Sequence, residues 1–200
     1  MKPITASIAN NANNASFAVL SISLLLTLAA CGGDASIAQD DNSTGGQNSN
    51  ANPGDNSANL TSFQTDILDR VNAVRLQGTA CGGNTMPAVP SVQWNTLTEA
   101  AAQAHSQFMK DSNNLSHTGQ NGSSVGDRLT AAGYTWSAVG ENIAAGYPTG
   151  AAVVQGWIDS VDHCRNLMSS NFRHLGVAVV QGAATNNYGQ YWTMVLASMR

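Results

Sequence analysis

The side chains with the clearest capacity for chemistry are His117, Glu141 and His163. The sequence contains only two glutamates, and they stand in different surroundings. Glu99 lies in an Ala-rich helical pattern, where a solvated carboxylate is expected, whereas Glu141 is embedded in the apolar residues 139–146. Burying a carboxylate costs several kcal/mol unless partners stabilise it. We therefore expect Glu141 to face polar partners inside the fold, and His117 and His163 are the candidates.

Two imidazoles and one carboxylate are compatible with three kinds of site. They can form a hydrogen-bonded cluster, a general acid–base pair, or a Zn²⁺ site that keeps one position open. The chain has no His-Glu-x-x-His helix, no Gly-x-Ser-x-Gly elbow and no Gly-rich phosphate loop. Ligand spacing therefore gives no independent support for a metal, and the residue types leave all three alternatives open.

The N-terminal residues 1–30 have the features of a bacterial lipoprotein signal peptide. Residues 17–30 form a continuous apolar run, which is too short to span a bilayer comfortably and is typical of a secretory signal. The run ends in Leu-Ala-Ala-Cys, which resembles the lipobox and predicts cleavage before Cys31 and lipidation of its thiol. The alternative is an ordinary signal peptide with a coincidental cysteine. Gly32 stands where an inner-membrane protein typically has Asp, so we expect the outer membrane if the organism has one.

Residues 31–59 are predicted to be a lipid-anchored, disordered linker, because Gly, Ser, Asn, Asp and Gln dominate and large apolar side chains are almost absent. The linker would hold residues 60–200, which suit a single domain, at the cell envelope, facing the periplasm or the exterior. The net charge is −4 and the basic residues are scattered, which argues against nucleic acid as a partner. The expected partners are the membrane, through Cys31, and a lipid or other envelope ligand. The oligomeric state is not predicted.

Cys81 and Cys164 remain once Cys31 is assigned to the lipid anchor. In an exported protein, two cysteines form a disulfide by default. Closing a loop of this length would stabilise the fold by about 4–5 kcal/mol in the chain-entropy model. The alternative is a reactive thiol at Cys164 beside His163. Neighbours on a helix point about 100° apart, so this adjacency alone does not make a dyad.

Helical patterns occupy most of the domain. A first helix is predicted from the N-cap Thr61 to Gly78, and a second from about Asn95. A short third helix covers residues 127–133. The fourth helix begins at the N-cap Thr149 and has an apolar face that extends to Val161. Ser160, Asp162, His163 and Cys164 are expected near its end.

The end of the chain changes to a β pattern. Residues 175–180 and 191–196 are β-rich apolar runs, and the Gly- and Asn-rich residues 182–189 between them predict a hairpin. Helices followed by an antiparallel hairpin predict an α+β domain with a small sheet covered by helices. His105 borders the apolar stripe of the second helix, and we expect it to be a packed or half-exposed helix residue rather than a ligand.

Six motifs in residues 60–200 together resemble one protein family. They are Asn-Ala-Val-Arg at 72–75, Ser-His-Thr-Gly at 116–119, Gly-Glu-Asn-Ile-Ala at 140–144, Trp-Ile-Asp-Ser at 157–160, His-Cys-Arg-Asn at 163–166 and Tyr-Trp-Thr at 191–193. In this order they resemble the CAP superfamily of cysteine-rich secretory, antigen 5 and pathogenesis-related proteins, and especially its bacterial SCP-like branch. The resemblance implies a CAP-type α–β–α sandwich. It also implies a cleft lined by two His and two Glu, in which some members bind divalent cations.

The resemblance assigns positions in this cleft residue by residue. It places His117, Glu141 and His163 there, and makes these three the possible metal ligands. Ser160 stands at the position of the second glutamate, so one expected negative ligand is missing. Asp162 is the candidate replacement for that carboxylate.

Two further expectations follow from the resemblance. In the bacterial branch, a cysteine after the first helix pairs with one just after the second histidine, which agrees with a Cys81–Cys164 disulfide. His174 opens the strand at residue 175, where the family usually has an acidic or polar residue. We therefore expect His174 at the surface.

Three functions are compatible with these residues. The first is a non-enzymatic binding module whose cleft takes a lipid, a peptide or a glycan. The second is a cation-assisted hydrolase or peptidase in which His163 or Glu141 acts as general base. In the third, the His–Glu set is structural and orders the floor of the cleft. The missing carboxylate and the absent nucleophile motif favour the first and third together, and the hydrolase is the alternative.

Overall fold

The computed structural model describes Gly54 and residues 59–200. The predicted signal peptide, Cys31 and nearly all of the predicted linker lie outside these residues. Within the described part of the chain, no helix is long and apolar enough to span a membrane.

The described domain contains five α-helices and six β-strands. In chain order they are α1 Ser62–Gln77, β1 Thr79–Cys81, β2 Asn84–Met86, β3 Gln93–Trp94, α2 Thr96–Asp111, α3 Val125–Ala131, β4 Trp136–Ala145, α4 Gly150–Asp159, α5 Val161–Leu167, β5 His174–Gln181 and β6 Gln190–Met199. A short 3-10 turn, Gln120–Gly122, precedes α3.

The predicted helix starts are confirmed by their N-caps. Thr61 and Gln64 form a capping box at the start of α1, in which each side chain accepts a hydrogen bond from the other's backbone N–H. The Asn95 side chain accepts from the first turn of α2, and Thr149 accepts from the N–H of Ala152 in α4. These side chains satisfy N–H groups that the first helical turn leaves without partners.

The predicted fourth helix is broken in the structure. α4 ends at Asp159 because Ser160 adopts an extended backbone, with φ −91° and ψ 123°, and α5 starts at the next residue. Val161, which was expected to extend the apolar face of α4, is instead 38% exposed. His163 and Cys164 therefore lie on α5, and Ser160 lies at the junction of the two helices.

The main sheet has the strand order β3-β5-β6-β4. β5 and β6 form the predicted hairpin, β4 pairs antiparallel with β6, and the short β3 pairs parallel with β5. β1 and β2 form a separate small hairpin. β4 is consequently an outer strand of the main sheet, and it carries Glu141.

Helices cover both faces of the main sheet. One face packs under α1, α4 and α5 in a core whose larger members are Ile67, Val71, Trp157, Leu167, Leu175, Trp192 and Met194. The other face packs under α2 and α3 in a second core that includes Ala101, Leu129, Ala178, Val195 and Ala197. The predicted α–β–α sandwich is therefore confirmed.

Two interactions fix α5 in the first layer. Cys81 of β1 and Cys164 of α5 form the predicted disulfide, with Cα atoms 5.5 Å apart, so the alternative of a reactive thiol is wrong. Arg75 of α1 is fully buried and donates to the carbonyl oxygens of Leu167 and Ser169, at 2.6 and 3.0 Å, at the end of α5. Burial lowers the pKa of Arg75 to about 10.

Two sequence expectations about polar residues are wrong. His174 is only 2% exposed, because β5 lies between β3 and β6, and its Nδ1 hydrogen-bonds to the Tyr134 hydroxyl at 2.5 Å. Burial raises the pKa of that hydroxyl. Glu99 is half-buried rather than solvated, and its carboxylate accepts hydrogen bonds from the Trp94 indole and the Gln64 amide.

Candidate functional site

The alternation of β4 decides which helix layer each side chain of the Gly-Glu-Asn motif faces. Gly140 faces α5, because a Cβ atom placed on it would lie 2.3 Å from Asn166 Oδ1. Asn142 faces α5 as well, accepting from the Asn166 amide at 2.9 Å and donating to the His163 carbonyl at 3.1 Å. Successive side chains of a strand point to opposite faces, so Glu141 points toward α2 and α3.

Both carboxylate oxygens of Glu141 are engaged. Oε2 accepts a hydrogen bond from Arg128 Nη2 at 2.7 Å, and Oε1 lies 2.8 Å from His117 Nδ1. His105 Nε2 is also close, at 3.8 Å from Oε1. The Glu141 side chain is 3% exposed, whereas that of His117 is 59% exposed. The predicted contact between Glu141 and His117 is confirmed, and Glu141 is held by a guanidinium that the sequence did not single out.

Arg128 connects three segments around the site. Besides Glu141, it donates to the carbonyl oxygens of Ser123 at 2.7 Å and His117 at 3.2 Å. Its side chain is 9% exposed. Arg128 therefore fixes residues 117–123, the loop between α2 and α3, against β4. The position of Arg128 on α3 follows from the capping box formed by Ser124 and Asp127 at the start of that helix.

His105 of α2 also holds this loop, through the backbone of Ser116. Its Nε2 lies 2.8 Å from the carbonyl oxygen of Ser116, which can only accept, so Nε2 carries the proton. The other ring nitrogen, Nδ1, is buried and has no hydrogen-bond partner in the described chain. Burial lowers the pKa of His105, Glu141 opposes this effect, and the positive charge of Arg128 adds to it. His105 is thus a fully buried residue that holds the loop, in agreement with its expected packing role.

The structure does not place His163 against Glu141, so the expectation that His163 is a partner of this carboxylate is wrong. His163 lies on α5, which covers the sheet face opposite the Glu141 side chain. Burial lowers the pKa of His163, and the charge of His117 acts in the same direction. Asp162 does not replace the missing carboxylate, because its side chain is 92% exposed and pairs loosely with Arg165 at 3.6 Å.

Two cavities adjoin β4, and together they contain all four predicted cleft residues. The first has a volume of about 400 Å³ and is lined by His117, Thr118, Gly122, Ser123, Ser124, Val125 and Glu141. The second has a volume of about 260 Å³ and is lined by Leu115, Ile143, Ala144, Ala145, Tyr147, Gly156, Trp157, Ser160 and His163. We call these the Glu141 cavity and the Trp157 cavity, and the two together the cleft.

Residues 68–196 match the family model for "CAP: Cysteine-rich secretory protein family". The chain belongs to the CAP family. The region matched includes His117, Arg128, Glu141, Ser160 and His163, so the whole cleft lies inside the CAP domain.

Curated relatives of this CAP domain are known in Bacillus subtilis. The uncharacterized membrane protein YlbC is 33% identical over 132 residues, which cover 66% of this chain and 36% of YlbC. The uncharacterized protein YkwD is 28% identical over 136 residues, which cover 68% of this chain and 47% of YkwD. The chain therefore matches less than half the length of each of these two relatives.

Solved structures agree with the family assignment. An extracellular protein from Bacillus anthracis that contains an SCP domain is 30% identical, with a TM-score of 0.53 over 70% of this chain and 45% of that protein. An outer surface protein of Borrelia burgdorferi superposes with a TM-score of 0.58 over 71% of this chain and 96% of its own. The second is only 13% identical, so it supports the fold alone.

The resemblance to the CAP superfamily implies a possible metal site, and the geometry of this domain does not fit one. A zinc site needs three or four protein ligands around one point. Among residues 54 and 59–200, no group of three or more His, Cys, Asp or Glu side chains is arranged to hold a metal ion. His117 and Glu141 meet, but in the described chain His163 forms no ion pair or hydrogen bond with Glu141, and Arg128 donates to the second oxygen of Glu141.

The cleft also lacks an activated nucleophile. In the part of the chain that the structure describes, no Ser or Thr hydroxyl is hydrogen-bonded to an imidazole, and both domain cysteines are in the disulfide. A hydroxyl nucleophile needs an adjacent base within hydrogen-bond reach. Ser160 and His163 line the same cavity without such a bond.

Proposed function

We propose that this CAP protein is held at the cell envelope by a lipid on Cys31 and that its cleft binds a ligand without converting it. The lipobox-like Leu-Ala-Ala-Cys sequence supports the anchor. The names of the relatives support the location, since one is a membrane protein of Bacillus subtilis and another an extracellular protein of Bacillus anthracis.

The proposal rests on the hydrogen bonds and the burial of the Glu141 carboxylate. A general base needs a free lone pair directed at the proton that it removes. Glu141 directs one oxygen at Arg128 and the other at His117, and its side chain is buried behind them. This carboxylate therefore organises the cleft, and we assign the ligand to the two cavities beside it.

The two cavities suit a ligand with a polar and an apolar part. Ser, Thr and His side chains line the Glu141 cavity, whereas Ile143, Tyr147 and Trp157 line much of the Trp157 cavity. Their combined size falls within the range of ordinary ligand sites, roughly 300–1,000 Å³. A peptide, a lipid headgroup with its first methylenes, or a glycan fits this description.

A narrow groove between α1 and α4 is the competing place for an apolar ligand. It has a volume of about 220 Å³, and its walls include Ala73, Val74, Val154 and Ile158. Ala73 is exposed on α1, so the substitution Ala73→Trp would fill this groove without touching the cleft.

The experiment is capture of ligand from an extract of the native envelope by the immobilised protein. We expect the double variant His117→Ala/His163→Ala to retain about one tenth or less of the ligand that wild type retains. The reason is that a loss of about 1.4 kcal/mol of binding free energy lowers the affinity tenfold. Ala73→Trp is the matched control and should capture as wild type does. Loss of capture in Ala73→Trp alone would place the ligand in the α1–α4 groove and contradict the proposal.

A further inference from the structure

The Trp157 cavity is lined by polar side chains that have no protein partner. They belong to Tyr147, Ser160 and His163. Within residues 54 and 59–200, the two hydroxyls and the imidazole of these residues make no hydrogen bond. None of these atoms is sealed from solvent either. Polar groups beside an apolar core usually have partners, so this cavity offers three unused polar groups to a ligand.

The Tyr147 ring is placed against α4 by a glycine. A Cβ atom on Gly156 would lie within 2.7 Å of Tyr147 Oη, Cζ and Cε1, so any larger residue at this position would displace the ring. The backbone of Tyr147 is also held, because its carbonyl accepts a hydrogen bond from the Trp192 indole at 2.9 Å. The Tyr147 hydroxyl therefore lies beside Gly156 of α4, which lines the same cavity.

The Ser160 hydroxyl is unused although it stands at a capping position. Ser160 is the N-cap residue of α5, where a Ser hydroxyl usually accepts a hydrogen bond from the first helical turn. Here the side chain makes no such bond. Ser160 follows Gly156 by four residues, so it lies about one helical turn from the Tyr147 hydroxyl.

The backbone of His163 is fixed, whereas its imidazole is unused. The fully buried Asn142 donates to the His163 carbonyl at 3.1 Å, and Asn166 donates to Asn142 at 2.9 Å. His163 follows Ser160 by three residues, so it lies about one turn farther along the chain. The three polar residues therefore follow one another along the end of α4 and its junction with α5.

The lining of the Trp157 cavity is polar without being charged. It contains no Asp, Glu, Lys or Arg, and much of the rest is apolar, including Leu115, Ile143 and Ala145. Burial lowers the pKa of His163, so its imidazole is uncharged at neutral pH. A charged ligand group would lose water here without gaining a partner of opposite charge. Phosphate, carboxylate and ammonium groups are therefore disfavoured.

We infer that the Trp157 cavity binds one sugar unit of an uncharged glycan. The inference rests on the proposed binding function and names its ligand class. A sugar ring has hydroxyl groups at its rim and C–H groups on its faces, so it suits polar groups set in an apolar lining. The cavity volume of about 260 Å³ is below the roughly 300–1,000 Å³ of sites for drug-sized ligands, which suits a single ring.

A sugar satisfies the three polar groups better than an acyl chain or a peptide does. An acyl chain would cover them without offering hydrogen bonds, which costs free energy for each group. A hydroxyl and an uncharged imidazole each donate and accept, whereas a peptide carbonyl only accepts and a peptide N–H only donates. Each hydroxyl of a sugar can do both, so one ring can pair with all three groups.

Titration with neutral trisaccharides tests the inference. The probes are cellotriose, maltotriose, mannotriose and chitotriose, added to the full-length protein labelled with ¹⁵N-tryptophan, which has four indole signals. We expect at least one probe to shift the Trp157 indole signal in a saturable way. A saturable shift with none of them would overturn the inference. A capped Ala-Ser-Ala peptide or octanol that binds this cavity as tightly as the best sugar would overturn it as well.

The substitutions Tyr147→Phe and Ser160→Ala each remove one of the hydroxyls. We expect each to raise the Kd of the bound trisaccharide about threefold to tenfold, the usual effect of one hydrogen bond. The urea midpoint should stay close to that of wild type, because neither hydroxyl bonds to the described protein. Tyr188→Phe is the matched control, since Tyr188 is 40% exposed and does not line the cavity. An unchanged Kd in both cavity variants, or an equal rise in Tyr188→Phe, would overturn the inference.

The capture experiment separates the two proposals. Cleft-dependent capture of an envelope ligand that contains no sugar unit would contradict the glycan inference and leave the binding function standing. Absence of cleft-dependent capture would contradict the binding function itself.

Discussion

Arg128 Nη2 and Glu141 Oε2 are 2.7 Å apart, and both side chains are more than nine-tenths buried. Arg128 also holds the carbonyl oxygens of Ser123 and His117, so one guanidinium joins the loop after α2, helix α3 and strand β4. The carboxylate that marks the family motif is therefore part of the domain's internal support. In the proposed function, the ligand binds beside this carboxylate, in the two cavities.

The ion pair predicts a large effect of Arg128→Met on stability. This change leaves the buried Glu141 carboxylate without its cation, and breaking one side of a buried pair costs about 3–5 kcal/mol. Urea denaturation at neutral pH measures the loss. The double variant Arg128→Met/Glu141→Gln should lose less than the sum of the two single changes, because it removes the unpaired charge. Additive losses would show that the two residues are not coupled.

The lowered pKa values of His105 and His163 predict a loss of stability on mild acidification. Burial lowers the pKa of His105 and of His163 in the folded state, so the unfolded chain takes up their protons first as the pH falls below about 6.5. The free energy of unfolding should therefore begin to decrease as the pH falls toward about 6.5. The decrease should end when the pH lies below the lowered pKa values of the two histidines in the folded state. The charged or titratable groups facing His105 are Glu141, Arg128 and His117.

The variant His105→Gln isolates one of these contributions. The Gln amide can still donate to the Ser116 carbonyl, but it does not titrate. We expect a smaller decrease of the unfolding free energy between pH 7.5 and pH 5.0 than in wild type, measured by urea denaturation at both pH values. An unchanged decrease would show that His105 is not responsible.

The close approach of α5 to β4 predicts that Gly140 tolerates no side chain. A Cβ atom at Gly140 would lie 2.3 Å from Asn166 Oδ1 and 2.8 Å from Phe172. Gly140→Ala should therefore cost about 1–3 kcal/mol, as other overpacking changes do. Gly189→Ala is the matched control, because no atom lies within 4 Å of its added Cβ. Equal effects of the two substitutions would contradict the placement of Gly140 against α5.

The proposed lipid anchor predicts a change of location on mutation of Cys31. The wild-type protein should sediment with membranes and incorporate a labelled fatty acid. Cys31→Ser should lose the label and appear in the soluble fraction, because the acyl chains supply the membrane affinity. A protein that keeps its label without Cys31 would show that lipid is attached elsewhere, and one that is never labelled would contradict the anchor.

Local signals in the sequence predicted much of this fold. The caps Thr61 and Thr149, the helix start near Asn95, the terminal hairpin and the Cys81–Cys164 pair are confirmed. They depend on short-range patterns and on the number of cysteines. The contact of Glu141 with His117 was predicted as well. Each of these features is encoded by neighbouring residues or by a family motif.

The remaining features depend on the packing of elements that are distant in sequence. The alternation of β4 is visible in the sequence, but which helix layer covers each face is not, so His163 was placed beside Glu141 although α5 lies on the opposite face. Arg128 looked like any other basic residue of a short helix, because its role depends on how α3 crosses β4. His174 is buried because β5 lies inside the sheet, and this strand order is a property of the whole domain.

The most direct test of the account is the stoichiometry with which the protein removes a ligand from an envelope extract. Wild type, Glu141→Gln and a protein-free control are incubated with the extract, and its molecules are quantified by mass spectrometry. We predict that wild type depletes a ligand in proportion to the protein added and releases it intact on denaturation. Depletion far beyond the amount of protein, with cleavage products that Glu141→Gln does not produce, would contradict the account and make this domain an enzyme.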